Sequence, residues 1–162
     1  MTDTIAARRV HLLSRYTRSD QAEGKIASAR ALVELSLRDT VMLPTHRKHL
    51  IKLAQWWVTE ADGKWKTRFK SSKVLQLARD EPGSQVRINH EHVFGRAELA
   101  DRILKDPSQV DSVLELCIGC IVTVDEHQQL SALRGLQGWE RYRVAGIEVC
   151  DTAVPGLPEV RI

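Results

Sequence analysis

The sequence predicts an α+β fold, a single mostly helical domain over residues 1–162 with a small sheet. Three observations predict it. A chain of 162 residues with 43% hydrophobic and 5% aromatic side chains holds enough apolar matter for one core. Before residue 61, apolar residues recur at intervals of three and four, the period of one buried helix face. Further on, short stretches are β-branched or alternate strictly, as strands do.

Ile5, Val10, Leu12 and Leu13 suggest a loose first helix. Ser19 and Asp20 offer N-caps for a longer one over residues 21–38, with Ala22, Ile26, Ala29, Val33 and Leu37 on its buried face. Proline is tolerated in a first helical turn, so Pro44 and Thr45 open a third helix to about Ala61, with Leu50, Leu53 and Trp57 on its core side. Asp62-Gly63 reads as a turn. From Lys64 to Lys70 cations alternate with Trp65, Thr67 and Phe69, the period of a half-buried strand with one basic and one apolar face. Ser71 and Ser72 cap a short helix to about Arg79, and residues 81–84 form a loop.

Val86 to Phe94 reads as a strand, followed by helices over residues 96–105 and 108–117 parted by Asp106-Pro107. Ile121-Val122-Thr123-Val124 is β-branched throughout and is expected as a buried strand, with Asp125 capping a helix over residues 126–133. Gly135 and Gly138 mark a loop, residues 139–144 a short helix stopped by Gly146, and residues 147–150 a last strand. The tail from Pro155 to Pro158 is expected to be extended. The sheet is therefore expected from strands near residues 65–70, 86–93, 121–124 and 147–150.

Charged residues make up 28% of the chain, and no apolar run approaches the ~18 residues that span a membrane. The start of the chain, with Arg8 and Arg9 in a short amphipathic stretch, lacks the apolar core of a signal peptide. Membrane and secreted classes are set aside on these grounds. Cys117, Cys120 and Cys150 are an odd set in a chain too large to need staples, which points to reduced thiols and a cytoplasmic setting. The net charge of +3 hides an asymmetry: residues 1–80 carry 16 Lys/Arg against 8 Asp/Glu, residues 81–162 carry 8 against 13. The basic half suits a polyanion and the acidic half a metal or a partner surface; alternatively the halves neutralise each other.

Asn89-His90-Glu91-His92 puts two imidazoles and a carboxylate in four positions. On a strand His90 and His92 share one face and Glu91 takes the other, while a bulge would bring Glu91 and His92 together. A second element, Ile121 to Leu130, is a strand feeding into a helix whose first turn carries His127. Lys64, Lys66, Arg68 and Lys70 at spacing two would stand about 6.6 Å apart on a strand, close to the spacing of phosphates along one nucleic-acid strand. Lys73 extends that basic stretch. Arg141 and Arg143, mixed with Trp139 and Tyr142, offer stacking and phosphate contacts, or one face of an ordinary helix. His46 and His49 beside Arg47 and Lys48 read as a phosphate-facing stripe or a solvated face. Cys117-Ile-Gly-Cys120 reads as core thiols before half a zinc site or a redox pair, and Trp56, Trp57 and Trp139 as core or interface aromatics. The chain has no phosphate-cradling glycine loop and no nucleophilic-serine elbow.

The Glu91-His92 and His127 elements together resemble the ββα-metal arrangement of the His-Me finger, or HNH, nucleases. That resemblance implies His92 as the general base that activates water, with Glu91 and His127 holding one divalent cation, Mg²⁺ or Mn²⁺. The chain departs from the family pattern in a helical insertion between Phe94 and Ile121 and in having Asn89 as its only asparagine. The stretch also resembles a group of uncharacterised bacterial, largely actinobacterial, proteins. The shared segments are Thr59–Lys64, His90–Val93, Val122–Leu130 and Arg141–Ile147, spread over about the last two thirds of the chain; no activity comes with that resemblance.

The reading that follows is a nucleic-acid-binding protein with an embedded ββα-metal-like element, acting as a divalent-metal-dependent phosphodiester hydrolase if its site is catalytic. The alternative is a non-catalytic protein-interaction module, such as a phage or mobile-element factor that blocks a host complex. A nucleic acid or a protein, and not a membrane, is the expected partner.

Overall fold

Ala22, Ala29 and Val33 fall on one stripe of a helix, and small side chains on such a stripe let a second helix approach closely. The chain is built on that contact in the computed structural model, which describes residues 10–80, 87–133 and 135–153. In chain order the elements are α1 (Ala22–Arg38), α2 (Pro44–Thr59), β1 (Phe69–Ser71), α3 (Ser72–Asp80), β2 (Ile88–His92), α4 (Arg96–Lys105), a 3₁₀ turn (Pro107–Gln109), α5 (Val110–Glu115), β3 (Gly119–Thr123), α6 (Val124–Ala132), α7 (Gly138–Val144) and β4 (Val149–Asp151). Helix dominates, and the four short strands form one open mixed sheet in the order β2-β3-β1-β4. Two compact units interleave along the chain. A sheet unit holds the residues up to Thr17, Gly63–Glu91 and those from Gly119 onward; a helical unit holds Arg18–Asp62 and His92–Ile118. Each draws on both the basic first half and the acidic second half of the sequence. Among the described residues no helix is long and apolar enough to cross a membrane.

In the helical unit, α1, α2, α4 and α5 share a core in which Ala29, Val33, Ile51, Ala54, Ile103 and Val113 are buried. Full burial of a Val or Ile side chain contributes about 1.5–3 kcal/mol each. On α2 the buried stripe is Ile51, Ala54, Gln55 and Thr59, while Leu53 and Trp57 are 38% and 39% exposed. This corrects the expected Leu50-Leu53-Trp57 core face: the small Ala54 faces the core, and the bulkier pair is turned outward. The fully buried Gln55 amide is satisfied from α4, its nitrogen donating to the Arg96 carbonyl at 3.0 Å and its oxygen accepting from the Ala100 N–H at 3.2 Å.

In the sheet unit, β1 runs parallel to β3, with Phe69 opposite Cys120, and antiparallel to β4, with Phe69 opposite Asp151. Strand β2 lies antiparallel to β3: the Val124 N–H reaches the Arg87 carbonyl at one end, and the Val93 N–H the Ile118 carbonyl at the other. Leu12, Val74, Ala78, Ile88 and Ile121 form the core of this unit, with Trp65 packed against it. The expected seven-residue basic strand is corrected. Residues 64–68 are a turn followed by irregular chain, begun at Gly63 (φ +107°) and the 2.9 Å bond from the Lys66 N–H to the Gly63 carbonyl, and the strand starts only at Phe69. Burial still alternates as far as Arg68, which is what the sequence pattern registered. It fails at Lys70, because β1 lies between two neighbouring strands and Lys70 is 1% exposed.

The expected Asp125 cap is also corrected. Thr123 is the N-cap of α6: its hydroxyl accepts from the Glu126 N–H, and the Glu126 carboxylate accepts from the Thr123 N–H, a reciprocal capping box. Residues 10–13 are helical, as expected. Ile5, the loop at residues 81–84 and the tail at Pro155–Pro158 lie outside the described residues.

Candidate functional site

Strand β2 carries Glu91, and β3 passes through the Thr123 cap straight into α6, so His127 sits one turn into that helix. The two side chains meet: His127 Nδ1 lies 2.6 Å from Glu91 Oε2. Arg141 on α7 donates from Nη2 to the other oxygen, Oε1, also at 2.6 Å. Glu91 and Arg141 are largely buried, with side chains 12% and 11% exposed, while the His127 ring is 39% exposed. The result is a buried guanidinium–carboxylate pair with an imidazole at its solvent end. A carboxylate held by a guanidinium is an acceptor, so His127 Nδ1 is the donor and the neutral ring keeps its basic lone pair on Nε2.

The same junction is tied down from below. Glu126 is 6% exposed, and its Oε2 accepts from the Thr123 N–H at 2.8 Å and from the Ser71 hydroxyl at 2.7 Å. Ser71 Oγ in turn accepts from the Val74 N–H at 3.2 Å, so one carboxylate links the starts of α3 and α6. Sequence reasoning missed Glu126; the Thr-x-x-Glu spacing after a β-branched run was the available signal.

His92, the residue that follows Glu91, belongs to the helical unit. There its ring meets Trp56 edge-on with centroids 5.3 Å apart, and its Nδ1 lies 3.3 Å from Thr59 Oγ1. Thr59 donates its one hydroxyl proton to the Gln55 carbonyl at 2.7 Å, so its oxygen accepts from His92 Nδ1–H. Arg96 stacks over Trp56, its guanidinium carbon 4.8 Å from the ring centroid, and burial lowers its pKa from the ordinary arginine value. Of the three residues expected to converge, Glu91 and His127 are in contact within one unit; His92 has its contacts in the other.

The expected basic ladder does not form. Lys64, Lys66 and Lys73 are exposed, Lys73 with its Nζ 4.0 Å from Asp125. Arg68 is spent on Asp151, the pair raising the arginine pKa and lowering that of the acid through their hydrogen bonds. Lys70 is buried, and burial alone lowers its pKa to about 8. Arg141 is committed to Glu91, and Arg143 is exposed beside Glu140 at 3.5 Å. Trp139 stacks obliquely on Phe69 and on Tyr142, centroids 5.0 and 5.3 Å away, so it is a packing residue. His46 and His49 are exposed on α2.

Cys120 and Cys150 are buried and Cys117 half-buried, all three as free thiols. Burial pushes the Cys117 thiol up to about 12 and the Cys120 thiol well above its ordinary range. Among the described residues no group of three or more His, Cys, Asp or Glu side chains gathers that could hold a metal ion. Glu91 and His127 alone are a two-ligand set, with a guanidinium already on the carboxylate. As arranged, these residues do not fit Mg²⁺ or Mn²⁺, ions that need several oxygen ligands. No protein-family model matches the chain, and no curated protein and no solved structure gives a match.

Proposed function

We propose that the protein binds nucleic acid and acts on its phosphodiester backbone, with His127 as general acid–base. The observation that supports this is the chain Arg141–Glu91–His127, two 2.6 Å contacts that run from a buried cation to a solvent-reachable imidazole. Glu91 orients the ring and stabilises the imidazolium that forms when Nε2 takes a proton, and Arg141 holds Glu91 in place. In the reaction a water gives its proton to Nε2 as its oxygen bonds to phosphorus, the bond from phosphorus to the leaving oxygen breaks, that oxygen takes a proton from solvent water, and the His127 imidazolium returns its proton to solvent. His127 thus has the role that the HNH resemblance gave to His92. Lys64, Lys66, Lys73 and Arg143, all exposed on the same unit, are the contacts for the backbone.

The ββα part of the reading rests only on element order, β2 beside β3 and β3 leading into the helix that carries His127. A metal-dependent form of the reading requires Glu91 to exchange Arg141 for the ion, and it is separated by experiment. Plasmid DNA and structured RNA are incubated with the full chain in EDTA, in Mg²⁺ and in Mn²⁺, and binding is followed by fluorescence anisotropy against salt. Cleavage in EDTA that is lost in His127→Gln, with binding retained, supports the acid–base role; cleavage only with added metal supports the metal-dependent form. Failure to bind any nucleic acid at low salt overturns the reading.

A specific observation favours the second reading, a protein-interaction module. In the helical unit Leu35, Val41 and Leu43 are 67%, 90% and 59% exposed, and Trp57, farther along on α2, is 39% exposed. Exposed apolar side chains mark a protein-binding face where they form one patch, and this reading takes Leu35, Val41 and Leu43 as such a patch. This reading stands if nucleic-acid binding is absent.

A further inference from the structure

The sheet unit contains a cavity of about 180 Å³, walled by residues of the segment 11–17 on one side and by Lys66 and Lys70 on the other. Its lining is one-sided in charge. Arg15, Lys66 and Lys70 supply cations, His11 an imidazole, and Ser14, Tyr16 and Thr17 hydroxyls; among the described residues no carboxylate lines it.

Lys70 is the centre of the argument. It is 1% exposed, and its Nζ donates to two backbone carbonyls, His11 at 3.2 Å and Ser14 at 3.4 Å. Among the described residues no carboxylate pairs with it. Buried ammonium groups are normally matched by an acid, because an unmatched charge loses its hydration with nothing in return. Here the neighbours are further cations, which increase the cost. Two explanations would justify keeping such a lysine: a nucleophilic amine, or a cation waiting for an anion. A nucleophile must be free of its proton at neutral pH, whereas a lysine with its pKa at about 8 is mostly ammonium there, with two carbonyl acceptors facing its hydrogens. The surrounding groups, the cations of Arg15 and Lys66 with the hydroxyls of Tyr16 and Thr17, suit oxygen ligands of high negative charge.

We propose that this cavity is a binding site for a phosphate dianion, free or as a terminal phosphomonoester, with Lys70 as its buried counter-charge. Arg15 and Lys66, both exposed at their positions, gate the entrance electrostatically, Arg15 with its Nη groups because its Nε donates to the Ala153 carbonyl, and the Thr17 hydroxyl supplies a directional hydrogen bond to a phosphate oxygen. The site uses none of Glu91, His127 and Arg141 and shares with the proposed backbone contacts only Lys66, so it stands or falls apart from the acid–base reading.

The test is calorimetry and ³¹P NMR of the full chain with inorganic phosphate, with a 5′-phosphorylated dinucleotide and with the same dinucleotide lacking the phosphate. Saturable binding of either phosphorylated probe, absent for the unphosphorylated one, is the expected result. The tighter of the two identifies the source as free phosphate or an ester. Lys66→Gln and Arg15→Gln, which change exposed side chains and leave the core intact, are each expected to weaken binding about tenfold. Lys70→Met is expected to abolish it, and phosphate is expected to raise the titration midpoint of the Lys70 ε-methylene signals. No saturable binding of either phosphorylated probe overturns the proposal, and so does binding that Lys66→Gln and Lys70→Met leave unchanged.

Discussion

Arg68 and Asp151 are joined by two parallel hydrogen bonds, Nε to Oδ1 at 2.8 Å and Nη2 to Oδ2 at 2.5 Å. The fork closes over the β1–β4 pair beside the Phe69–Asp151 register point, and the Arg68 carbonyl also accepts from Thr152, from its N–H at 2.9 Å and its hydroxyl at 2.7 Å. The acid side chain is 9% exposed and the guanidinium 49%. This pair removes one cation from the surface and makes it a clasp on an edge strand.

Loss of the clasp has a signed pH dependence. Arg68→Gln leaves Asp151 buried without its cation and is expected to cost about 1–2 kcal/mol, less than the ~3–5 of a fully buried pair because half the guanidinium is in water. The Arg68 hydrogen bonds are the main cause of the lowered Asp151 pKa. A carboxylate with a depressed folded pKa stabilises above its unfolded value and loses that contribution as the pH falls through the folded one. The gap between wild type and Arg68→Gln in urea unfolding is therefore full at neutral pH and closes as the pH drops below about 4. A gap that is constant with pH would assign the loss to packing of the arginine stem.

Burial of Lys70 works in the other direction. Its folded pKa of about 8 lies below the ordinary lysine value because burial disfavours the ammonium. The unfolded chain therefore binds the extra proton between about 8 and about 10.4, and the cost of the buried charge is full below that window and gone above it. Lys70→Met is expected to unfold at higher urea than wild type at pH 7, by about 1–3 kcal/mol, with the difference shrinking toward pH 10. His11, Arg15, Tyr16 and Lys66 face the same cavity, so the quantity to measure is the wild-type-minus-variant difference, in which their own titration largely cancels. A Met variant less stable at every pH would show that the two carbonyl hydrogen bonds outweigh the charge.

What was legible in the chain follows from which forces are local. Helix faces with wide stripes, such as Ala22-Ala29-Val33, and the β-branched strand Ile121–Thr123 announce themselves, because burial there follows a single period. The alternation from Lys64 to Lys70 was a true burial signal up to Arg68 but not a strand, since Gly63 starts a turn and Thr67 donates its hydroxyl to the Phe69 carbonyl at 3.1 Å. Lys70 was illegible: its burial depends on β3, β4 and residues 11–14, all distant in sequence. At the site, the meeting of Glu91 and His127 was implied by the HNH resemblance, which made them ligands of one ion, and not by any local pattern. Arg141, read as a phosphate contact, became the anchor of Glu91 because α7 returns to the same sheet, and no local pattern encodes that return.

The Glu91–Arg141 pair can be separated from His127 energetically. Both members are largely buried, so removing either leaves an unmatched charge: Glu91→Gln strands the guanidinium, and Arg141→Met strands the carboxylate. Each is expected to cost about 2–4 kcal/mol in urea unfolding. The double variant removes both charges at once, so its cost is expected to fall short of the sum by at least about 1.5 kcal/mol. His127→Gln is different. Its ring is 39% exposed, and pairs reaching into water contribute about 0–1 kcal/mol. A small stability loss there, set beside a large coupling between Glu91 and Arg141, is the pattern of a rigid buried anchor presenting a replaceable imidazole. Additive single variants, or a His127→Gln as damaging as Arg141→Met, would mean that the three side chains form one structural cluster with no part set aside for chemistry.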